Sequence, residues 1–221
     1  SPFAKILINT YRSGTRLSVG ECREIASLEG TTQGDNIGGH FYNQATIPLQ
    51  NILHISSPEI KQVWLADDAT GAGTLANLLA WWNTIIEHGR KFGYFVNEAK
   101  SWLIIKNEKD HESAQRIFSD SGIQITISGK RHLGAAIGSN EFRVEYSKKK
   151  IAKWQAEVEK LAEIAKTEPQ AAYAAYIHGE QHGFSYFLRT IPGMSVLLEP
   201  LDRAITERLI PAMLGCQSIS E

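Results

Sequence analysis

Asp67 and Asp68 are adjacent carboxylates that follow an apolar run, Val63-Trp64-Leu65-Ala66, and precede a glycine-containing stretch, Ala69-Thr70-Gly71-Ala72-Gly73. Carboxylate oxygens are the ligands a hard divalent cation such as magnesium prefers, and an acidic strand tip is one way to hold that cation beside a phosphate. Neighbouring side chains on a regular strand point to opposite faces, so the two aspartates serve one site only if the backbone bends there. The glycines just beyond are expected to supply the bend. Aspartate is also a preferred turn residue, and a solvated turn is the other reading of the pair.

Three further segments stand in order around this pair: Glu29-Gly30-Thr31-Thr32-Gln33-Gly34-Asp35 upstream, then Gly93-Tyr94-Phe95-Val96-Asn97-Glu98-Ala99-Lys100 and Arg131-His132-Leu133-Gly134 downstream. In that order and at that spacing they resemble successive motifs of the reverse transcriptase palm, closest to the reverse-transcriptase-like domains of animal retroelements. The resemblance spans the first 140 residues and, with less specificity, the helical tail.

The resemblance implies an RNA-directed DNA polymerase, a nucleotidyltransferase that extends a primer 3′ end by two-metal chemistry. Asp67 is the expected direct ligand and Asp68 a secondary one, for two Mg2+ ions roughly 3.5–4 Å apart that stabilise the attacking and leaving oxygens together. Gln33 and Gly34 would shape the nucleotide and template pocket, although a plain turn before a helix also explains them. Lys100 would stand near the incoming triphosphate and donate a proton to the leaving pyrophosphate; its other reading is an exposed lysine ahead of a strand. Leu133 and Gly134 would contact the primer end. The implied partners are an RNA or DNA template with its primer and deoxynucleoside triphosphates. The fingers, and the first palm motif with its aspartate, are expected from an N-terminal part of the same polypeptide. The chain departs from the family pattern at Leu65, where an aromatic residue is usual, and at Asn36-Ile37-Gly38-Gly39, where relatives place proline and apolar residues. These departures keep a second reading open, a noncatalytic nucleic-acid-binding remnant of a retroelement polymerase.

Composition permits this function without announcing it. The 221 residues are 43% hydrophobic, enough to bury a core, and 23 Lys plus Arg against 24 Asp plus Glu leave a formal charge of -1. No global basic field exists, so a nucleic-acid surface has to be local. The candidate for backbone contact is Arg143, Lys148, Lys149, Lys150 and Lys153, preceded by Lys130 and Arg131; Glu141 and Glu145 among them allow the alternative of a solvated helix face. Cys22 and Cys216 alone make neither a disulfide framework nor a zinc pattern, which points to a reducing intracellular setting, nucleus or cytoplasm. No apolar run approaches a membrane span and the start lacks a secretion signal, so neither a membrane partner nor secretion is expected.

The elements that must position these residues read as an α+β mixture with mainly antiparallel strands. Residues 1–12 have helical spacing. Arg16–Val19 and Ile25–Leu28 suggest a hairpin turning at Gly20-Glu21, and Asp35 is placed to cap a helix that runs to about Leu53 with a kink at Pro48. The Val63 hairpin follows. Then come a helix over Leu75–His88, a strand over Trp102–Lys106, a helix over His111–Phe118, and strands over Ile123–Ile127 and Leu133–Ile137. Ile151, Trp154, Val158, Leu161 and Ala165 predict an amphipathic helix from Lys150 that Pro169 ends. Helices over Gln170–Leu188 and Val196–Met213, separated by Pro192-Gly193, complete a thumb-like part. A boundary is placed at residue 140, with a palm-like piece over 1–140 and a helical region over 141–221. Trp81, Trp82 and Ile85, and Tyr173, Tyr176 and Phe187, are read as core stripes. His178 and His182 lie four apart around Glu180, but glycines flank them and no third ligand is evident.

Overall fold

Short apolar strands joined by tight turns pair first with their neighbours in sequence, because closing a short loop costs little chain entropy. That local pairing dominates the architecture. The computed structural model describes residues 2–20, 23–27, 35 and 37–216. Gln33 and Gly34, like Glu21, Cys22 and Leu28, lie outside the described residues. The fold is α+β, and its described strands form four separate two-stranded pairs rather than the one mainly antiparallel sheet expected of a palm. Three pairs are antiparallel hairpins and one is parallel.

The chain divides into two compact units, Ser1–Glu98 and Ala99–Glu221. The first contains α1 (Pro2–Tyr11), the hairpin β1 (Thr15–Val19) and β2 (Arg23–Ser27), α2 (Gly38–Ser56), the hairpin β3 (Lys61–Leu65) and β4 (Asp68–Ala72), and α3 (Leu75–Gly89). Helix α2 starts at Gly38 rather than Asp35. The Asp35 carboxylate instead accepts the Ile37 backbone N–H at 2.9 Å and the Tyr11 hydroxyl, an arrangement ahead of the helix that holds its carboxyl below the usual range. The helix continues through Pro48 to Ser56. Thr74 caps α3, its Oγ accepting from the Asn77 N–H at 3.4 Å. Leu49 and Leu53 of α2, Trp81 and Ile85 of α3, and Ile60 make the core of this unit, with Trp64 and Tyr94 packed against it.

The second unit contains β5 (Trp102–Ile104), α4 (His111–Ile117), β6 (Gln124–Thr126, parallel to β5), the hairpin β7 (Gly129–His132) and β8 (Ala135–Gly138), and α5 (Asn140–Ala165). It continues with α6 (Pro169–Ala175) and α7 (Gln181–Thr190), joined by a π turn at Tyr176–Glu180, and α8 (Glu199–Ala204) and α9 (Ile210–Leu214), joined by a second π turn at Ile205–Leu209. Helix α5 begins ten residues before Lys150, because the Ser139 hydroxyl accepts the Phe142 N–H at 3.2 Å and starts it there. It stops at Ala165, and Pro169 opens α6 rather than ending α5. The expected boundary at residue 140 falls inside this unit, since Ala136 of β8 belongs to the same core as Ile151, Val158 and Ala162 of α5 and Phe184 and Phe187 of α7. Phe187 joins the core as expected, whereas Tyr173 is exposed, on the outer side of α6. No helix among the described residues is long and apolar enough to cross a membrane.

Candidate functional site

Strands β3 and β4 close through a two-residue turn, Ala66-Asp67, flanked by the opposed pair Leu65 and Asp68. The bend expected from the glycines is made at Ala66, whose φ is 52°, a left-handed value at the first central position where glycine is usual. Gly71 instead lies within β4, opposite Gln62, where a Cβ would come within 3.1 Å of the Trp81 ring. Its missing side chain admits the indole. Asp67 therefore occupies the turn, Asp68 opens β4, and both are exposed.

The two faces of this hairpin differ sharply. Gln62, Trp64, Ala69 and Gly71 face the core, while Val63, Leu65, Asp68 and Thr70 face outward. Leu65 is 59% exposed and pairs with Asp68 across the turn. Beneath the tip, the Gln62 Oε1 accepts both indole N–H groups, from Trp64 at 3.0 Å and Trp81 at 3.3 Å, and its Nε2 donates to the Gln50 carbonyl of α2 at 3.2 Å. One amide thus ties β3 to both α2 and α3. Tyr94 secures the turn itself. Its N–H donates to the Gly89 carbonyl at 3.0 Å, its ring centroid lies 5.2 Å from that of Trp64, and its hydroxyl donates to the Asp67 carbonyl at 2.8 Å. Burial, with Tyr42, Asp67 and Asp68 nearby, pushes the Tyr94 hydroxyl up to about 12, so it remains a proton donor at neutral pH. Burial and Asp67 raise Tyr42 in the same direction.

Strands β7 and β8 close through Leu133-Gly134, with φ of 49° and 85°. Positive φ at both central residues is the type I′ pattern, which matches the twist of a hairpin. The strand expected to start at Leu133 begins at Ala135, because Leu133 is in the turn. Both turn carbonyls are held by tyrosines: the Tyr146 hydroxyl of α5 donates to the Gly134 carbonyl at 2.7 Å, and the Tyr186 hydroxyl of α7 donates to the Leu133 carbonyl. Among the described residues, Ala66 and Leu133 are the non-glycine residues with positive φ. Each sits at the tip of a hairpin that the sequence singled out, the first fastened by one tyrosine hydroxyl and the second by two.

Lys100 closes the short turn Glu98–Lys100 ahead of β5 and is exposed. Asp67 and Asp68 stand in the first unit, and Lys100, Leu133 and Gly134 in the second. The basic residues belong to the second unit, on β7 and α5. Lys130 of β7 lies over the Trp102 ring, 3.6 Å from its centroid, and Arg131 is exposed. Arg143, half-buried in the first turn of α5, donates through Nη2 to the Asn140 Oδ1 at 3.5 Å, while its Nε is buried without a partner. Lys148 is exposed and in no ion pair among the described residues; Lys149 pairs with Glu145 at 2.6 Å and Lys153 with Glu157 at 3.3 Å. Lys150 is half-buried, its Nζ 6.0 Å from the Trp154 ring centroid.

Among the described residues no group of three or more His, Cys, Asp or Glu is gathered into a metal-holding cluster. Asp67 and Asp68 have the oxygen chemistry magnesium requires but are a partial ligand set. His178 and His182 are exposed, while burial and the neighbouring Glu157 carboxylate raise Glu180. Sequence reasoning missed the three tyrosines that hold the hairpin tips, 94, 146 and 186; only Tyr94, adjacent to Gly93 in the third motif, carried a local signal. Comparison of the chain with protein-family models, with curated proteins and with solved structures finds no match in any of the three.

Proposed function

We propose that this chain is the C-terminal palm and helical thumb of a retroelement RNA-directed DNA polymerase, acting with magnesium, deoxynucleoside triphosphates and a primer on an RNA or DNA template. The reading rests on the order of the four motifs, and one structural observation supports it: the acidic motif and the Leu-Gly motif each form a tight hairpin whose tip a tyrosine fixes from outside. A site that aligns a primer end with a nucleotide needs backbone held to a fraction of an ångström, and tips anchored this way meet that need.

In this mechanism Asp67 and Asp68 contribute carboxylates toward magnesium, which when bound draws charge from the attacking and leaving oxygens. The third acid comes from a preceding segment of the same polypeptide. Lys100 offers a proton to the departing pyrophosphate, and Leu133-Gly134 lies against the primer terminus. Helix α5, with Arg143 and Lys148 to Lys150, holds the duplex through phosphates, contacts that position it without reading sequence. The incomplete carboxylate set and the exposed Leu65 in place of an aromatic favour the alternative, a noncatalytic nucleic-acid-binding remnant, at the chemical step alone.

Primer extension separates the two. The 221-residue chain in magnesium should not extend a primer, whereas a polypeptide lengthened N-terminally through the first palm motif should do so. Asp67→Asn in the longer form should abolish turnover and leave the fold unchanged, since charge is lost and volume kept. Turnover at a near-normal rate in that variant would remove Asp67 from the metal site.

A further inference from the structure

Helix α3 runs into a short turn, Arg90–Phe92, that Gly93 closes in the left-handed region at φ 72°. The Gly93 N–H donates to the Arg90 carbonyl at 3.3 Å and the Tyr94 N–H to the Gly89 carbonyl at 3.0 Å, a pair of bonds that fixes the direction in which the chain leaves the helix. Phe92, Tyr94 and Val96 then pack against the core of the first unit. Phe95, standing between the last two, is 73% exposed. Arg90 and Lys91 are exposed as well, and neither side chain is in a hydrogen bond or ion pair among the described residues. Cations at the end of a helix complement its dipole, which accounts for their charge. The dipole does not account for a phenyl ring left in water four and five residues further on. A lone exposed apolar residue is ordinary, but an aromatic ring close to two unpaired cations, on backbone held this firmly, is the composition of a site for single-stranded nucleic acid.

We propose that Phe95, Arg90 and Lys91 form a contact site for the unpaired part of a template strand, the ring stacking on one base and the two cations lying against neighbouring phosphates. The inference rests on the polymerase reading and adds to it a single-strand site, distinct from the duplex contacts assigned to α5. A duplex keeps its base faces stacked on one another, whereas an unpaired strand offers them to a ring, and every base has such a face, so the site takes any sequence. Tyr94 joins the site to the acidic hairpin: its backbone is bonded to Gly89, next to Arg90, and its hydroxyl holds the Asp67 carbonyl. Stacking releases no counterions and the two cations do, so ring and charge are separable in a salt series.

The test uses the 221-residue chain with an unstructured fluorescent RNA of about twelve nucleotides and a blunt RNA–DNA duplex, affinity being measured across a salt series. Phe95→Ala changes an exposed position, so it should melt at about the same temperature as the parent, weaken single-strand binding about five- to 150-fold and leave duplex binding unchanged. Phe95→Leu keeps an apolar side chain without the ring and should weaken binding in the same way, whereas Phe95→Trp should retain it, with the emission of the added indole quenched as the strand binds. Arg90→Ala combined with Lys91→Ala should flatten the slope of log affinity against log salt by about 1.4 for the single strand, about 0.7 per lost contact. Single-strand binding that survives Phe95→Leu, an equal loss on both probes in Phe95→Ala, or a parent that binds the duplex alone overturns this inference and leaves the polymerase reading standing. A parent that binds neither probe overturns both. Should the alanine variant fail to fold, Phe95→Leu and the indole emission of Phe95→Trp decide the matter.

Discussion

Replacing Lys148, Lys149 and Lys150 by alanine tests whether α5 holds a duplex. Each phosphate contact that releases a condensed counterion contributes about 0.9 to the slope of log affinity against log salt, so three contacts contribute about 2.7. Over a fourfold rise in salt the parent chain should accordingly lose about fortyfold more affinity than the triple variant. The structure shows how far each lysine is committed elsewhere. Lys148 is exposed and in no ion pair among the described residues, Lys150 is half-buried beside Trp154, and Lys149 is engaged with Glu145 at 2.6 Å. That exposed pair is a weak competitor, because both partners are well solvated and the geometry restricts two long side chains. Lys149 holds the Glu145 carboxyl below its usual range, so the acid is ionised at neutral pH and Glu145→Gln should strengthen binding by freeing the lysine. Alanine is the best helix former, which keeps α5 intact in the triple variant. Fluorescence anisotropy on duplexes of different sequence should show a uniform loss with no change in base preference. An unchanged salt slope would refute the reasoning and leave these lysines as a solvated face.

Three further outcomes are expected. Tyr94→Phe removes the hydroxyl that holds the Asp67 carbonyl and should cost about 0.5–1.5 kcal/mol in denaturant melts. Its folded pKa of about 12 lies above the ordinary 10.0, so the stability Tyr94 adds is complete below pH 10.0 and lost as pH rises through about 12; the variant should lack that portion of the alkaline loss. Glu180 is raised by burial and by Glu157, so its contribution is favourable below the ordinary glutamate pKa and is lost as pH rises through the higher folded value. Glu180→Gln should therefore raise the melting temperature at neutral pH and leave it unchanged in acid. Leu209→Ala, at a position with no exposed surface, should cost roughly 2–5 kcal/mol, and a loss well below that range would mean that the surrounding helices close over the cavity.

The elements were legible where periodicity or turn chemistry was strong. The spacing of Ile151, Trp154, Val158, Leu161 and Ala165 marks α5, and Pro192-Gly193 marks the break before α8, because an apolar stripe at helical period and a proline-glycine pair each have few other solutions. The start of α5 was harder to read. Its first turns bury Ser147, whose hydroxyl donates back to the Arg143 carbonyl, and present Phe142 and Tyr146 to neighbours, so no apolar stripe announces them. The signal present was Ser139 as a capping residue.

The acidic hairpin and the Leu-Gly hairpin were both visible as sequence, yet their turns were not. Ala66 and Leu133 are residues that local preference keeps out of the left-handed region, and at the acidic pair a reading based on preference assigns the bend to the glycines beyond it. What placed the bends was contact with residues distant along the chain: Tyr94 on the Asp67 carbonyl, and Tyr146 and Tyr186 on the Leu133-Gly134 carbonyls. The amino-acid sequence alone determined which residue types were available, an acid pair, a glycine, a run of lysines, and the periods that make helices and strands of their surroundings. Only the tertiary structure decided where those residues point, because a strained turn and a shared hydroxyl bond exist only once distant segments have packed together.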